Sequence, residues 1–262
     1  MSTRPTRPLA LLLTVVALGA LSGCGGSGDS GSTDGTARDR PAPTHTLAGG
    51  RAPTSSPDPS ASAGDGKTGR LPGLGPKTLA RVPDDAHQVV VVTGEHRDSP
   101  RSTVVLHERA DDGWRAGERW PAHNALRGWT DDHRLGDLRS PIGVFTLSDA
   151  GGLLPDPGTE LPYHRSGGFT IDGTGFEGEP LEGSFDYVVA IDYNRETGVS
   201  PLDWTRPMGD SKGGGIWFHV DHDGPTKGCV TLSEPHMKAL LRALEPESNP
   251  VVVMGDAASL AR

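Results

Sequence analysis

"GGGIWFHVDHDGPTKGCVTL", residues 213–232, is the stretch on which the reading of this chain turns. "GGIWFHV" (214–220) is an apolar, aromatic run entered through glycine, and "GCVTL" (228–232) is a short β-branched one. Both read as strands, and the residues between them are rich in Asp, Gly and Pro, as a tight connection requires. His219 closes the first strand and Cys229 opens the second, ten positions later. Adjacent strands joined this way can bring an imidazole and a thiol within hydrogen-bond reach. The chain has only two cysteines. A lone thiol in a glycine-flanked turn reads either as a small buried hydrophobe or as a reactive group.

A reactive thiol needs help, because an unperturbed cysteine has a pKa of about 8.5 and is mostly protonated at neutral pH. His219 can take the thiol proton and later return it to a leaving amine. Gly228 lets a carbonyl approach the backbone, with the N–H groups of Gly228 and Cys229 as candidate oxyanion donors. Pro225 and Thr226 stiffen the loop, and the Thr226 hydroxyl can satisfy a backbone group there. His222 reads as a mobile, solvated loop residue and as a second candidate for a direct role. His219, fixed by a buried strand, is the better base. Asp221 and Asp223 read as turn formers. His219, His222 and Cys229 are also zinc-binding types, but their spacing fits no common zinc pattern and a structural site needs a fourth ligand. The reading therefore assigns no metal and no cofactor.

Outward from this stretch the chain is punctuated by glycine and proline. "HQVVVVTG" (87–94) and "STVVLHER" (102–109) read as a hairpin, and "GWRAGERWP" (113–121) as a third strand. Further strands are expected at 143–147, at 186–194, which reads as the strongest central strand, and at 250–255. One clear helix follows Cys229, with Ser233 as its N-cap, Pro235 in its first turn, and Met237, Leu240, Leu241 and Leu244 at helical spacing. The expected fold is mainly β, a sandwich or barrel with one helix near the C-terminus.

The N-terminus is different in kind. Arg4 and Arg7 precede an apolar run from Leu9 to Leu21 that is short for a membrane span, which needs about 20 residues, so residues 1–23 read as an export signal. Leu21-Ser22-Gly23-Cys24 resembles a bacterial lipoprotein box, which implies lipid on Cys24 and attachment to the outer face of the cytoplasmic membrane. Between Gly25 and Arg81 there is no Phe, Trp, Tyr, Ile or Val. Residues 24–81 are thus expected to be a lipidated flexible tether, and 82–262 the folded domain. The net charge of −9, with no basic stripe, makes nucleic acid a poor partner.

"GIWFHVDHDGPTKGCVTL" resembles the signature of the L,D-transpeptidase catalytic domain: a histidine, a loop, then Ser/Thr-x-Gly-Cys-Val/Ile. "GDLRSPIGVFTL" (136–147) is similar to that family's Ser/Thr-Pro-x-Gly-x-Phe segment. The resemblance implies a β-sandwich with Cys229 as nucleophile, His219 as general base, Gly228 in the oxyanion hole and Thr226 as the motif hydroxyl. It implies peptidoglycan stem peptides as partners: a thioester forms on cysteine, D-alanine leaves, and an amine of a second stem takes the acyl group. An L,D-carboxypeptidase, resolving the same thioester with water, and a non-catalytic wall-binding lipoprotein are the alternatives. The sequence departs from the family pattern at Val220 after the histidine, at Lys227 before Gly-Cys, at Thr231, and in its short loop. It does not name the residue that orients His219, nor the oligomeric state.

Overall fold

The computed structural model describes residues 67–68 and 70–262. The expected signal peptide, Cys24 and most of the expected tether lie outside the described residues. The strands are β1 (Lys67–Thr68), β2 (Gln88–Gly94), β3 (Arg101–Ala110), β4 (Gly113–His123), β5 (Trp129–Thr130), β6 (Ser140–Pro141) and β7 (Gly143–Thr146). They continue with β8 (Ala150–Gly152), β9 (Tyr163–Arg165), β10 (Val188–Ala190), β11 (Trp217–Val220), β12 (Val230–Leu232) and β13 (Val251–Asp256). The helices are α1 (Pro76–Leu79), α2 (Glu234–Ala243) and α3 (Ala257–Leu260).

Two sheets carry the fold, in the orders β1-β4-β3-β2-β13-β7 and β12-β11-β10-β8-β9, with β5 and β6 as a separate pair. The valine runs explain the first sheet. β2 and β13 lie side by side in parallel, with Val89 opposite Val251 and Val91 opposite Val253. Val90, Val92, Val252 and Met254 belong to the core shared with the second sheet and α2. Val89, Val91, Val251 and Val253 pack instead with Leu71, Trp114 and Leu260. Both faces of this sheet are covered, so its central strands are continuously apolar rather than alternating.

In the second sheet, Val189, Phe218, Val230 and Leu232 enter the shared core, where Met237, Leu240 and Leu241 of α2 meet them. The opposite face carries Val188, Ala190 and Trp217, with Phe169 laid over them and Cys229 packed alongside. The expected hairpin, third strand and helix are all present. Ser233 stands at the N-cap of α2, where its carbonyl accepts from the Met237 N–H (2.8 Å), but its side chain makes no capping bond.

Two expectations are corrected. The run 186–194 is a strand only over Val188–Ala190, central in its sheet. Beyond it the Asp192 carboxylate accepts from the Thr146 hydroxyl (2.6 Å) and pairs with Arg195. The folded unit also begins upstream of Val82. Leu71 is 3 % exposed, Leu74 and Leu79 pack against the same cluster, and the Gly75 N–H donates to the Leu260 carbonyl at 2.9 Å. The composition of this segment is tether-like, but its few leucines are the ones that cover the outer face of the first sheet. Leu71→Ala should therefore lower the unfolding free energy by about 2–4 kcal/mol, as buried leucine truncations do. Denaturant unfolding checks this, and an unchanged midpoint would place Leu71 in a loose tether after all.

Candidate active site

Side chains alternate along a strand. With Phe218 committed to the core, Trp217 and His219 must point to the other face of β11. β11 and β12 run parallel, with Phe218 opposite Val230 and His219 opposite Thr231. One step before β12, Cys229 falls beside Trp217 on that same face. Its Sγ accepts from the Trp217 N–H (3.4 Å) and donates to the Gly215 carbonyl (3.5 Å). His219 stands diagonally across from the thiol, and no hydrogen bond joins them among the described residues. Hydrogen bonds between reacting groups commonly tighten only when substrate is present. Both side chains line a cavity of about 560 Å³, walled by Phe176, Leu202 and Trp204 from the irregular segments before and after β10.

The turn that presents Cys229 is clamped from three sides. The Thr226 hydroxyl donates to the Cys229 carbonyl (2.7 Å) and accepts from the Gly228 N–H (3.2 Å). The Gly228 amide is thus already engaged, which leaves the Cys229 N–H as the oxyanion-donor candidate of the two. The Ser140 hydroxyl donates to the Gly228 carbonyl at 2.8 Å and accepts from the Ala125 N–H at 3.1 Å. Ser140 belongs to the "GDLRSPIGVFTL" segment, so the two sequence motifs meet at this bond. Thr226 N–H donates to the Asn124 carbonyl (3.0 Å), and Asn124 is itself fully buried. A methyl group at Gly228 would press on Ile216 Cδ1 at 2.8 Å, so a side chain there would have to displace Ile216.

His219 is oriented by carbonyl oxygen. Its Nδ1 lies 2.9 Å from the Val220 carbonyl, which can only accept, so Nδ1 carries the proton and Nε2 is left as an acceptor. Phe185 meets the ring edge-on at 5.3 Å. Burial lowers the imidazole pKa to about 4 and raises the Cys229 thiol to about 11. Each opposes charge for the same reason, the loss of water around the ionised form. Cys229 retains part of its surface at the cavity, so the thiol is enclosed by protein yet reachable.

His222 is not the mobile, solvated residue expected of the loop. Its side chain is only 6 % exposed and its ring stacks on that of His219 at 5.8 Å and 15°. Its Nδ1 approaches the Glu179 carboxylate to 3.3 Å without the alignment of a hydrogen bond. Glu179 comes from a small hairpin in the segment before β10, closed by the bridge between Thr174 and Pro180, and the Glu177 N–H holds its other oxygen at 2.7 Å. The carboxylate lies against Gly224 and Gly175, where a Cβ would meet it at about 2 Å. Glu179 had no signal in the sequence, since it stands in a glycine-rich stretch with no periodicity. Asp221 is more than a turn former. It accepts from the Thr231 hydroxyl (2.6 Å) and pairs with His123 Nδ1 (3.0 Å), tying the loop to β4. Lys227, by contrast, is exposed at the cavity edge and forms no hydrogen bond or ion pair among the described residues.

In this mainly β fold, Cys229 and His219 thus face one cavity from the β11–β12 pair. Residues 127–253 match the family model for the L,D-transpeptidase catalytic domain (YkuD). The family is one of cysteine-dependent acyltransferases acting on peptidoglycan stem peptides. No curated protein matches in sequence. Among solved structures, that of Bdellovibrio bacteriovorus Bd1075 is similar at 16 % identity and a TM-score of 0.38, over 71 % of this chain and 53 % of that one. The match thus spans about half of that protein's length.

The buried histidines make stability depend on pH. Burial, chiefly, lowers His107 as well as His219 to about 4. The unfolded chain protonates both near the ordinary value of about 6.5, so between pH 6.5 and 4 it binds more protons than the folded one. Stability from this source is present above pH 6.5 and is lost as pH falls towards 4. His219→Asn should flatten part of that slope in urea unfolding measured from pH 7 to 4.5. Parallel profiles for wild type and variant would mean that His219 titrates normally.

Proposed function

We propose that this protein is a peptidoglycan L,D-transpeptidase with Cys229 as nucleophile and His219 as general base. The observation that carries the reading is the placement of both side chains on one face of the parallel pair β11–β12, lining the same cavity, inside the family segment. Nε2 of His219 takes the thiol proton as Sγ attacks the carbonyl of the third stem residue. The Cys229 N–H supports the oxyanion. As the C–N bond breaks, His219 returns the proton to the amine of departing D-alanine, leaving a thioester. An amine of a second stem then attacks, His219 accepts its proton, and collapse to the amide releases the sulfur, which is reprotonated.

Because burial opposes both charges, the resting pair is neutral thiol and neutral imidazole, and the proton moves only as the carbonyl arrives. Incubation with a tetrapeptide stem or a carbapenem should add the acyl mass to Cys229, and Cys229→Ser should abolish turnover. An unmodified protein under both reagents would overturn the reading. Release of free tripeptide rather than cross-linked product would instead identify the carboxypeptidase outcome.

The pKa shifts fix the expected pH profile. With His219 lowered to about 4, the base stays deprotonated well below pH 6.5. Wild-type acylation should therefore hold its rate from pH 7 to about 5 rather than fall through the ordinary imidazole range. His219→Ala should lose most acylation, by about a hundredfold or more, and recover only as pH approaches the thiol's own value of about 11. An acid limb near 6.5 would show that His219 is not the base, or is not shielded as described.

We further infer that lipid on Cys24 holds the mature chain at the outer face of the cytoplasmic membrane, facing the cell wall, with the preceding residues removed as a signal peptide. Support comes from the Arg-flanked apolar run and the Leu-Ser-Gly-Cys box. Cys24→Ala should shift the protein from the membrane fraction or block its processing. A wild-type protein recovered with an unlipidated N-terminus downstream of Cys24 would sink this assignment.

A further inference from the structure

Nineteen side chains and backbone segments line the cavity, and Lys227 is the one Lys or Arg among them, with no Asp or Glu. The remaining wall is mostly apolar and aromatic, with Phe176, Phe185, Leu202, Trp204 and Trp217 prominent. The nearby Glu179 carboxylate does not line the cavity; it faces His222 and lies against Gly224. The other basic side chain at this edge, Arg206, lies over the Trp204 ring at 5.1 Å and is not a lining residue. A single ammonium without a partner among the described residues, in a cleft whose lining holds no acid, leaves the cavity complementary to an anionic ligand group.

Distance then decides which group. Lys227 is two residues from Cys229, so their Cα atoms are at most about 7 Å apart. The turn between them is clamped by Thr226 and Ser140, so this separation is fixed before substrate arrives. A donor stem bound with its third carbonyl at Sγ places the next residue immediately beside the turn. In a tetrapeptide that residue is the leaving D-alanine, and it ends in a carboxylate one residue from the attacked bond. A lysine side chain of ordinary reach covers that span. The ammonium is a compact point charge on a flexible stem, suited to a small carboxylate that must depart after each turnover.

Resting on the reading of the site given above, we propose that Lys227 is a specificity-determining residue that binds the carboxylate of the leaving residue and so selects stems that end one residue past the attacked carbonyl. A stem extended by one residue, or capped as an amide, carries no negative charge at that place. The selection is electrostatic and lies outside the proton-transfer pair, so it acts through donor binding and not through the chemistry at sulfur.

The test uses the full chain with Cys229→Ala, so that binding is read without turnover. Its affinity is measured by calorimetry for a tetrapeptide stem ending in D-alanine, and for the same peptide ending in D-alanine amide. A third peptide carries an amide on the side-chain carboxylate of the diamino acid and a native C-terminus. The lysine protein should bind the first about five- to tenfold more tightly than the second, as expected for one partly solvated charge pair, and the third as tightly as the first. Adding Lys227→Met should bring the first two to equal affinity, and Lys227→Arg should keep the preference. Raised salt should shrink it. Equal binding of acid and amide by the lysine protein, a preference that survives Lys227→Met, or a loss confined to the third peptide would each overturn the proposal. Because binding is read on a protein without its thiol, the result stands apart from the mass measurement on Cys229 that tests the reaction itself.

Discussion

The two-residue alternation of β11 and β12 governs everything at the site. Phe218, Val230 and Leu232 are fully buried between the sheets, and that commitment is what turns Trp217, His219 and Cys229 outward. A slip of one residue in either strand would exchange the two sets. It would bury an imidazole or a thiol in the apolar core and expose a phenylalanine or a valine. The hydrophobic half of each strand therefore specifies the half that faces the cavity. No separate device is needed to aim the thiol. What the separate devices do, through Thr226, Ser140 and Asn124, is fix the turn that leads into β12.

Burial shapes the chemistry as strongly as it shapes the fold. A thiol raised to about 11 beside an imidazole lowered to about 4 is not a stored ion pair. The thiolate is the species that reacts with oxidants and with stray electrophiles. Keeping the proton on sulfur protects a residue that has no disulfide partner among the described residues. The stack of His222 on His219 adds to this, since a charge on the outer ring disfavours a second charge on the inner one.

The sequence was most readable where physical constraints are local. Four consecutive valines, a leucine spacing of three and four, and a glycine before a cysteine each have a direct structural meaning, and β2, α2 and the Cys229 turn follow from them. The histidine and cysteine stood out because the residues between them could only be a loop. What could not be read depends on contacts distant in the chain. Nothing near Glu179 points to His222. Nothing in "AGG" marks β8 as a strand, because its small residues are required by a close neighbour: a Cβ on Gly151 would meet the Phe169 ring at 2.8 Å. Leu71 reads as part of a loose spacer until the exposed face of the first sheet is known to need covering. Ser140 lay in a recognised motif, yet its bond to the Gly228 carbonyl is a fact of tertiary structure alone.

The position of β13 bears on how the molecule comes together. This strand is the last in the chain, yet it lies between β2 and β7, and it pairs in parallel with a strand more than 150 residues before it. Neither sheet neighbour can complete its backbone hydrogen bonds until residues 251–256 arrive. Pairings so distant in sequence form slowly, because a long loop must close before any contact compensates for it. The first sheet is therefore without the strand that joins β2 to β7 until residues 251–256 have entered it, so its core is among the last parts of the molecule to be completed.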